Sequence, residues 1–266
     1  MFIYPNINPI ALSIGPIKIY WYGILYLISF AVIWLLAVKR SKYLYPKWTR
    51  EQIIDLVFYG AVGVVVGGRV GEMLFYEYST LFSQPLSLFA IWHGGMSFHG
   101  GLIGVLVSLY VFARKTQRNF WDIMDFVAPL VPLGLFFGRI GNFINHELWG
   151  RVTNVAWAII YPMVDLSPRH PSQLYEACGE GILLFIILWL YSRRPKPRGA
   201  VAMIFLLGYG WIRFICEYFR EPDVALAFNF LTRGQLFSLP MILMGAVGWF
   251  LVYKYHYLGE KNERNN

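Results

Sequence analysis

The sequence predicts an all-α, polytopic integral membrane protein with seven transmembrane helices and a small outer (periplasmic) head segment. Three observations support this fold class: the composition, the length of the apolar segments and the distribution of basic residues. Of the 266 residues, 57% are hydrophobic and only 14% are charged, whereas an average soluble domain is about 45–50% apolar and about 25% charged. With a net charge of +8, this composition excludes a disordered chain, a secreted disulfide scaffold and a DNA-binding domain.

Seven apolar segments are long enough to cross the roughly 30 Å hydrocarbon core of a bilayer, which takes about 20 residues of helix. The N-terminus lacks a basic region and a cleavage site, so we expect the first segment to remain as a span. The second repeats Gly63, Gly67 and Gly71 at every fourth position, which indicates close helix packing. The third is the shortest. Within a single membrane domain over 1–266, the predicted spans are 17–38, 53–76, 97–113, 120–138, 173–192, 200–219 and 235–253.

Basic residues orient these spans, because cytoplasmic loops are enriched in lysine and arginine. With seven spans, alternate loops and the C-terminal tail hold 15 of the 23 basic residues, while the opposite side holds six. We therefore predict an N-terminus outside and a C-terminus in the cytoplasm of a bacterial inner membrane. The 15 residues are Lys39, Arg40, Lys42, Lys47, Arg50, Arg114, Lys115, Arg118, Arg193, Arg194, Lys196, Arg198, Lys254, Lys261 and Arg264.

The largest segment on the outer side is 139–172, the predicted head segment. Its middle part, NVAWAIIYP, is suited to a short strand or hairpin. The chain shows no internal repeat, whereas many secondary transporters consist of two related halves. Cys178 and Cys216 lie in apolar runs, so we interpret them as buried packing residues.

Ionisable and polar residues within the predicted spans cluster at one depth. Arg213 lies about 13 residues into the sixth span, which at 1.5 Å per residue places it ~20 Å from the cytoplasmic side. Such residues are costly in a membrane and usually functional. Confinement to the outer half favours a cavity open to the outer leaflet over a pore, which needs polar groups through the whole thickness. The residues at this depth are Tyr22, Arg69, Glu72, His99, Arg139, Glu176, Glu180, Arg213 and Glu217.

Arginines dominate the predicted cavity. Arg69 with Glu72 and Arg213 with Glu217 have the spacing of intrahelical salt bridges. Arg139 and Arg220 add positive charge near Arg213, so we expect an unbalanced positive pocket. The planar guanidinium group suits phosphate oxygens. The expected anion in a lipid-facing cavity is a phospholipid head group.

Two further motifs carry candidate chemistry. His99 lies in GGMSFHGGLIG, where it is either a hydrogen-bonded packing residue or a general base that works near neutral pH. GRIGNFINHELWG concentrates small and amide-bearing residues around Arg139, and asparagine amides can bind hydroxyls and carbonyls. Its candidate residues are Gly138, Gly141, Asn142, Asn145, Glu147 and Gly150.

These motifs resemble those of the bacterial phosphatidylglycerol–prolipoprotein diacylglyceryl transferases. The resemblance covers almost the whole chain and includes SIGPIKIYWYGILYLISF, GGRVGEMLFY, GGMSFHGGLIG, GRIGNFINHELWGR, RHPSQLYE and GYGWIRFICEYFREPD. It implies seven spans and transfer of the diacylglyceryl group of phosphatidylglycerol to the lipobox cysteine of a preprolipoprotein. The products are a thioether-linked lipid and glycerol 1-phosphate. The resemblance implies no cofactor, no metal and no nucleic acid.

The resemblance also assigns residue roles. It implies that Arg139 and Arg213 are essential, that Arg139 binds the lipid head group, and that His99 is the candidate base. Other residues at family-motif positions have less specific roles, and we add Asn145 of GRIGNFINHELWG, the signature segment (138–150). The expected substrate-binding residues are Tyr22, Asn142, Asn145, Glu147, Gly150, Glu176, Glu217 and Arg220.

The chain departs from the family pattern at two places. His93 precedes GGMSF where relatives often carry an acidic residue, and the stretch between Gly150 and Arg169 is short. The alternatives to an enzyme are an outward-facing lipid or anion transporter and a non-catalytic membrane scaffold. Missing repeat symmetry and the absence of polar residues from the inner half argue against the transporter.

Overall fold

A computed structural model describes residues 1–43, 47–90, 95–222 and 230–265, and it gives no side-chain account beyond residue 257. His93 lies outside the described residues. The chain forms two compact units, one of 1–33 with 125–266 and one of 34–124. From the N-terminus to residue 127, the strands and helices are β1 (Phe2–Ile3), β2 (Ile10–Ile14), β3 (Ile17–Tyr20), α1 (Trp21–Ser41), α2 (Arg50–Phe75), α3 (Tyr78–Ser83), a 3₁₀ turn (Pro85–Phe89), α4 (Phe98–Thr116) and α5 (Phe120–Val127).

The remaining elements all belong to the first unit. A π-helical stretch, Ala177–Leu183, joins two α-helical pieces into one continuous helix over Ser172–Tyr191. The others are α6 (Val131–Ile144), β4 (Ile159–Ile160), β5 (Pro168–Arg169), α7 (Ser172–Glu176), α8 (Leu184–Tyr191), α9 (Ala200–Cys216) and α10 (Arg233–Asn265).

Each of the seven predicted segments is mostly helical, with two corrections. Residues 17–20 of the first segment form β3, which pairs antiparallel with β2, so the helix begins at Trp21. The fourth segment is two helices, α5 and α6, bent by 47°. Pro132 lies in the first turn of α6, where a proline cannot continue the hydrogen bonds of a preceding helix.

Among the described residues, four helices are long and apolar enough to cross a membrane, or five if the bent pair counts as one span. Large apolar side chains on them are open to the surroundings, as Leu27 on α1 and Leu243 on α10 are, with 71% and 64% of their surface exposed. Such extensive apolar exposure suits contact with lipid rather than water. The protein is a multi-pass membrane protein.

In the unit 34–124, α2 and α4 pack closely through glycines. A Cβ atom added at Gly63 would lie 2.7 Å from the carbonyl oxygen of Gly104, and one at Gly71 would lie 2.6 Å from the Cα of Gly100. These distances leave no room for a side chain. The prediction that the glycine repeat serves helix packing is therefore confirmed.

Arg69 of α2 is buried and reaches backbone oxygens. Its guanidinium donates to the carbonyls of Ser87 at 2.6 Å, Leu88 at 3.3 Å and Gly95 at 3.3 Å. Arg69 therefore ties α2 to the chain that follows it, within its own unit.

The other unit contains a small sheet and a helical core. β4 pairs in parallel with β1 and antiparallel with β5, which confirms the short strand expected within NVAWAIIYP. Tyr4, Ile159 and Tyr161 form the apolar centre beneath this sheet. Cys216 is buried as predicted, but Cys178 is exposed, whereas Ala177 and Glu180 of the same helical stretch are buried.

Candidate functional site

Two buried glutamates lie between two arginines in the unit that contains α6 to α10. Arg139 Nη1 lies 3.0 Å from Glu176 Oε2, and Arg139 Nη2 lies 3.0 Å from Glu180 Oε2. Arg213 contacts Glu176 through Nη1, and the same nitrogen lies 3.5 Å from Glu180 Oε1. Both glutamate side chains are fully buried. Each carboxylate therefore bridges the two guanidinium groups.

The local helix geometry brings these side chains together. Glu176 ends α7 and Glu180 lies four residues later in the π-helical stretch, so the two carboxylates occupy one face. A π-helical stretch inside an α-helix is rare and often occurs at functional sites. Arg139 comes from α6 and Arg213 from α9. We call Arg139, Glu176, Glu180, Arg213, Glu217 and Arg220 the arginine–glutamate cluster.

The cluster corrects the expectation of an unbalanced positive pocket. Arg213 also pairs with Glu217, four residues further on, as predicted. Arg220 Nη1 lies 3.9 Å from both Glu176 Oε1 and Glu217 Oε1. Three arginines thus face three carboxylates. Buried ions need such pairing because removing them from water costs several kcal/mol per ion.

The signature segment after Arg139 forms a polar corner at the end of α6. Glu147 accepts hydrogen bonds from Asn142 Nδ2 at 2.9 Å and from Asn145 Nδ2 at 3.3 Å. Its backbone carbonyl accepts from Gln173 Nε2 at 2.6 Å. Tyr22 packs on the backbone of Gly141, where an added Cβ would lie 2.9 Å from its ring atom Cε2. The amides predicted as substrate ligands therefore also position Glu147.

Gly150 joins the signature segment to the end of the cluster. It forms an antiparallel bridge with Arg220, and its N–H donates to the carbonyl of His170 at 3.0 Å. A Cβ atom there would lie 2.6 Å from both His170 Cβ and the carbonyl oxygen of Phe219. Backbone atoms cannot move aside easily, so only glycine fits this position.

Three residues of this region were not among the predicted site residues. Glu180 was predicted to lie in the outer half of the membrane with Glu176, and its spacing of four from Glu176 was the signal that assigns it to the same face. Gln173 and Arg169 belong to the motif RHPSQLYE. Arg169 Nη1 donates to the carbonyl of Gly150 at 3.1 Å, so it supports the segment that carries Gly150.

His99 is not part of this cluster's unit. It lies in the first turn of α4, two residues after the N-cap Ser97, and its side chain is exposed. The role of His99 as a base stays a prediction. The cluster, Tyr22, the asparagines and Gly150 all belong to the unit of 1–33 and 125–266.

Asp165 provides a pH-dependent contact in the head segment. Arg169 donates to its carboxylate from Nη2 at 2.6 Å and from Nε at 3.3 Å, and this hydrogen bonding lowers the pKa of Asp165. A carboxyl whose pKa is lower in the folded state stabilises the fold above its unfolded pKa of about 3.9. That contribution disappears as the pH falls through the lower, folded-state pKa.

We therefore expect Asp165→Asn to lower the thermal unfolding midpoint at pH 7, and this difference from wild type to shrink as the pH falls below about 4. Thermal scans of the detergent-purified protein from pH 7 to pH 3 measure both effects. A constant difference across that range would contradict the proposed ionic contact.

Comparison with known proteins identifies the chain's relatives. Residues 9–251 match the family described as prolipoprotein diacylglyceryl transferase. A phosphatidylglycerol–prolipoprotein diacylglyceryl transferase of Coxiella burnetii (strain RSA 331 / Henzerling II) is 53% identical over 258 residues, which cover 96% of this chain and 99% of that protein. One of Legionella pneumophila (strain Lens) is 54% identical over 253 residues, which cover 94% and 99%. These matches do not favour the transporter alternative. The chain belongs to the prolipoprotein diacylglyceryl transferase family.

Proposed function

We propose that the protein transfers the diacylglyceryl group of phosphatidylglycerol to the lipobox cysteine of preprolipoproteins, the first step of lipoprotein maturation. The observation that carries this function is the family match over nearly the whole chain, in which relatives more than 50% identical bear this enzyme's name. The partners are phosphatidylglycerol as donor and the signal peptide of a preprolipoprotein as acceptor.

The proposed setting is the bacterial inner membrane, crossed seven times, with the N-terminus outside and 139–172 as a head segment on the outer side. Helix formation in each of the seven segments supports this count. The basic loops support the orientation. The short sheet of β1, β4 and β5 supports a folded head segment, because its strands lie outside the apolar helices.

In the proposed reaction, the thiolate sulfur of the substrate cysteine attacks the glycerol carbon that carries the phosphate ester. A C–S bond forms, the C–O bond breaks, and its electron pair stays on glycerol 1-phosphate. Arg139 and Arg213 stabilise the charge that builds on this leaving group. Their glutamate partners fix the guanidinium planes before substrate arrives, and preorganised donors are most effective in a water-poor site. A guanidinium has five N–H donors, so paired arginines retain donors for a phosphate.

The thiol must lose its proton, because the thiolate is the nucleophile. We assign this step to His99. The protein needs no cysteine nucleophile, since the reacting sulfur belongs to the substrate. Tyr22, Asn142, Asn145, Glu147, Gly150, Glu176, Glu217 and Arg220 are proposed to shape the lipid head-group site around the two arginines.

We expect His99→Gln to lower the transfer rate by about a hundredfold, the range in which general-base catalysis acts. Glutamine keeps hydrogen-bonding capacity but cannot take up a proton. The rate should be measured against pH with a lipobox peptide. A variant with wild-type rate would place the base elsewhere.

The function itself is tested with purified protein, phosphatidylglycerol and a lipobox peptide. Mass spectrometry should detect a diacylglyceryl increment on the peptide and release of glycerol 1-phosphate. A peptide with serine in place of cysteine is the control and should remain unmodified. Absence of the increment with the cysteine peptide would overturn the proposed function.

A further inference from the structure

A small cavity lies beside the arginine–glutamate cluster, between the end of α9 and the start of α10. Its volume is about 130 Å³, well below the roughly 300–1,000 Å³ of pockets for drug-sized ligands. The space suits a polar head group and not acyl chains. Its lining residues are Arg213, Glu217, Arg220, Glu221, Pro222, Thr232, Arg233 and Gly234.

Both carboxylates that line the cavity are engaged by neighbours. Glu217 pairs with Arg213 and accepts a hydrogen bond from Thr232 Oγ1 at 2.7 Å. Glu221 Oε2 lies 3.2 Å from Arg169 Nη1. These partners compensate part of the negative charge that the two carboxylates bring to the cavity wall.

Arg233 differs from the other arginines of the cavity. Its side chain is exposed and makes no hydrogen bond or ion pair within the part of the chain that the structure describes. Arg213 already pairs with Glu176 and Glu217, whereas Arg233 can meet an anion without giving up a partner among the described residues.

The helix α10, which begins at Arg233, increases the preference of the cavity for an anion. Thr232 caps α10 through Oγ1, which accepts from Gln235 N–H at 3.1 Å, and Gln235 Oε1 accepts from Thr232 N–H at 3.1 Å. An arginine in a first helical turn opposes the positive end of the helix dipole, and a bound anion relieves this repulsion. Gly234 in the same turn leaves space for Glu217, because a Cβ there would lie 2.8 Å from Glu217 Cγ.

We propose that this cavity binds the glycerol phosphate group, with Arg233 adding a second guanidinium beside Arg213 for its phosphate. The inference rests on the proposed function, which makes glycerol phosphate both the head group of the donor lipid and the free product. Arg233 lies outside the motifs that carry the family resemblance, so it is a further binding residue of this chain. The same chemistry serves either source, and the experiment separates them.

The direct test is calorimetric titration of sn-glycerol 1-phosphate into the full chain in phosphatidylcholine nanodiscs, which contain no anionic lipid. Arg233→Gln should weaken binding about tenfold, the effect of losing one charge-assisted hydrogen bond. Arg233→Lys should bind more tightly than Arg233→Gln, because it keeps the charge. The matched control is Arg194→Gln, which removes one exposed arginine elsewhere and should change affinity less than about twofold.

Two kinetic measurements show whether the bound glycerol phosphate belongs to the donor lipid or is the free product. If the cavity holds the donor's head group, Arg233→Gln raises KM for phosphatidylglycerol. If it holds the product, the variant raises the inhibition constant of added glycerol 1-phosphate while KM stays the same. A wild-type protein that fails to bind glycerol 1-phosphate, or an Arg233→Gln variant that matches wild type in every arm, overturns the proposal.

The two proposals fail separately. Arg233-dependent binding without any transfer to the lipobox peptide would support the cavity and refute the proposed function. Transfer without Arg233-dependent binding would refute the cavity and leave the function standing.

Discussion

Replacing Arg139 with alanine is expected to lower the rate of diacylglyceryl transfer by about 10³-fold. Arg139 is proposed to stabilise the charge on the departing phosphate, and its guanidinium is held in place by Glu176 and Glu180. The alanine side chain removes the donors and leaves both carboxylates with less compensation. The measurement is the initial rate of lipobox-peptide modification at equal amounts of membrane-inserted protein.

Two variants separate catalysis from folding in this prediction. Arg139→Gln with Glu180→Gln removes one charge of each sign, so the cluster stays balanced while the catalytic guanidinium is lost. This double variant should insert and unfold at a temperature closer to wild type than Arg139→Ala, and it should still be inactive. Arg194→Ala is the control for loss of an exposed arginine and should retain the rate. Wild-type activity in either Arg139 variant would refute the proposed role.

Replacing Glu176 with alanine is expected to lower the free energy of unfolding by about 3–5 kcal/mol, the cost of breaking a buried ion pair by removing one partner. Glu176 is fully buried and contacts Arg139, Arg213 and, at 3.9 Å, Arg220. Its loss leaves excess positive charge in a site that excludes water. For a protein of this size, the thermal midpoint should fall by roughly 6–20 °C.

The control for Glu176 is Glu77→Ala, which removes an exposed carboxylate that makes no side-chain cap contact at α3. Its midpoint should stay close to that of wild type. Glu176→Gln should lie between the two, because an amide oxygen still accepts from the arginines. A Glu176→Ala protein as stable as Glu77→Ala would mean that the glutamate is not needed to compensate the buried arginines.

Local pattern predicted the helices but not their irregularities. Apolar runs specified seven helical segments because each run must leave water, whatever its neighbours are. The strand β3, the break before α6 and the π-helical stretch at 177–183 were not predicted. Two of these irregularities change hydrogen bonds along a helix, and Pro132 contributes to the break before α6. The strand β3 depends on another segment, because it pairs with β2. A window of sequence contains no information about such partners.

In the site, too, some contacts followed from the sequence and others only from the packing of the helices. Arg213 and Glu217 are four residues apart on one helix, so their pairing followed from sequence spacing alone. Arg139 and Glu180 are 41 residues apart, and only the packing of α6 against the 172–191 helix brings them to 3.0 Å. That distance converts the expected positive pocket into a balanced cluster.

By itself, the sequence determined that this chain is a helical membrane protein, which residues carry its unusual charges, and which family motifs they belong to. Composition and the length of the apolar runs decide the first point, because they report the solvent in which each segment is stable, whereas the motifs are known only through their resemblance to a family. The tertiary structure decided how the charges are compensated and that Arg233, among the described residues, takes no part in that compensation. Electrostatic energy depends on distances between side chains from different helices, and those distances exist only after the helices have packed.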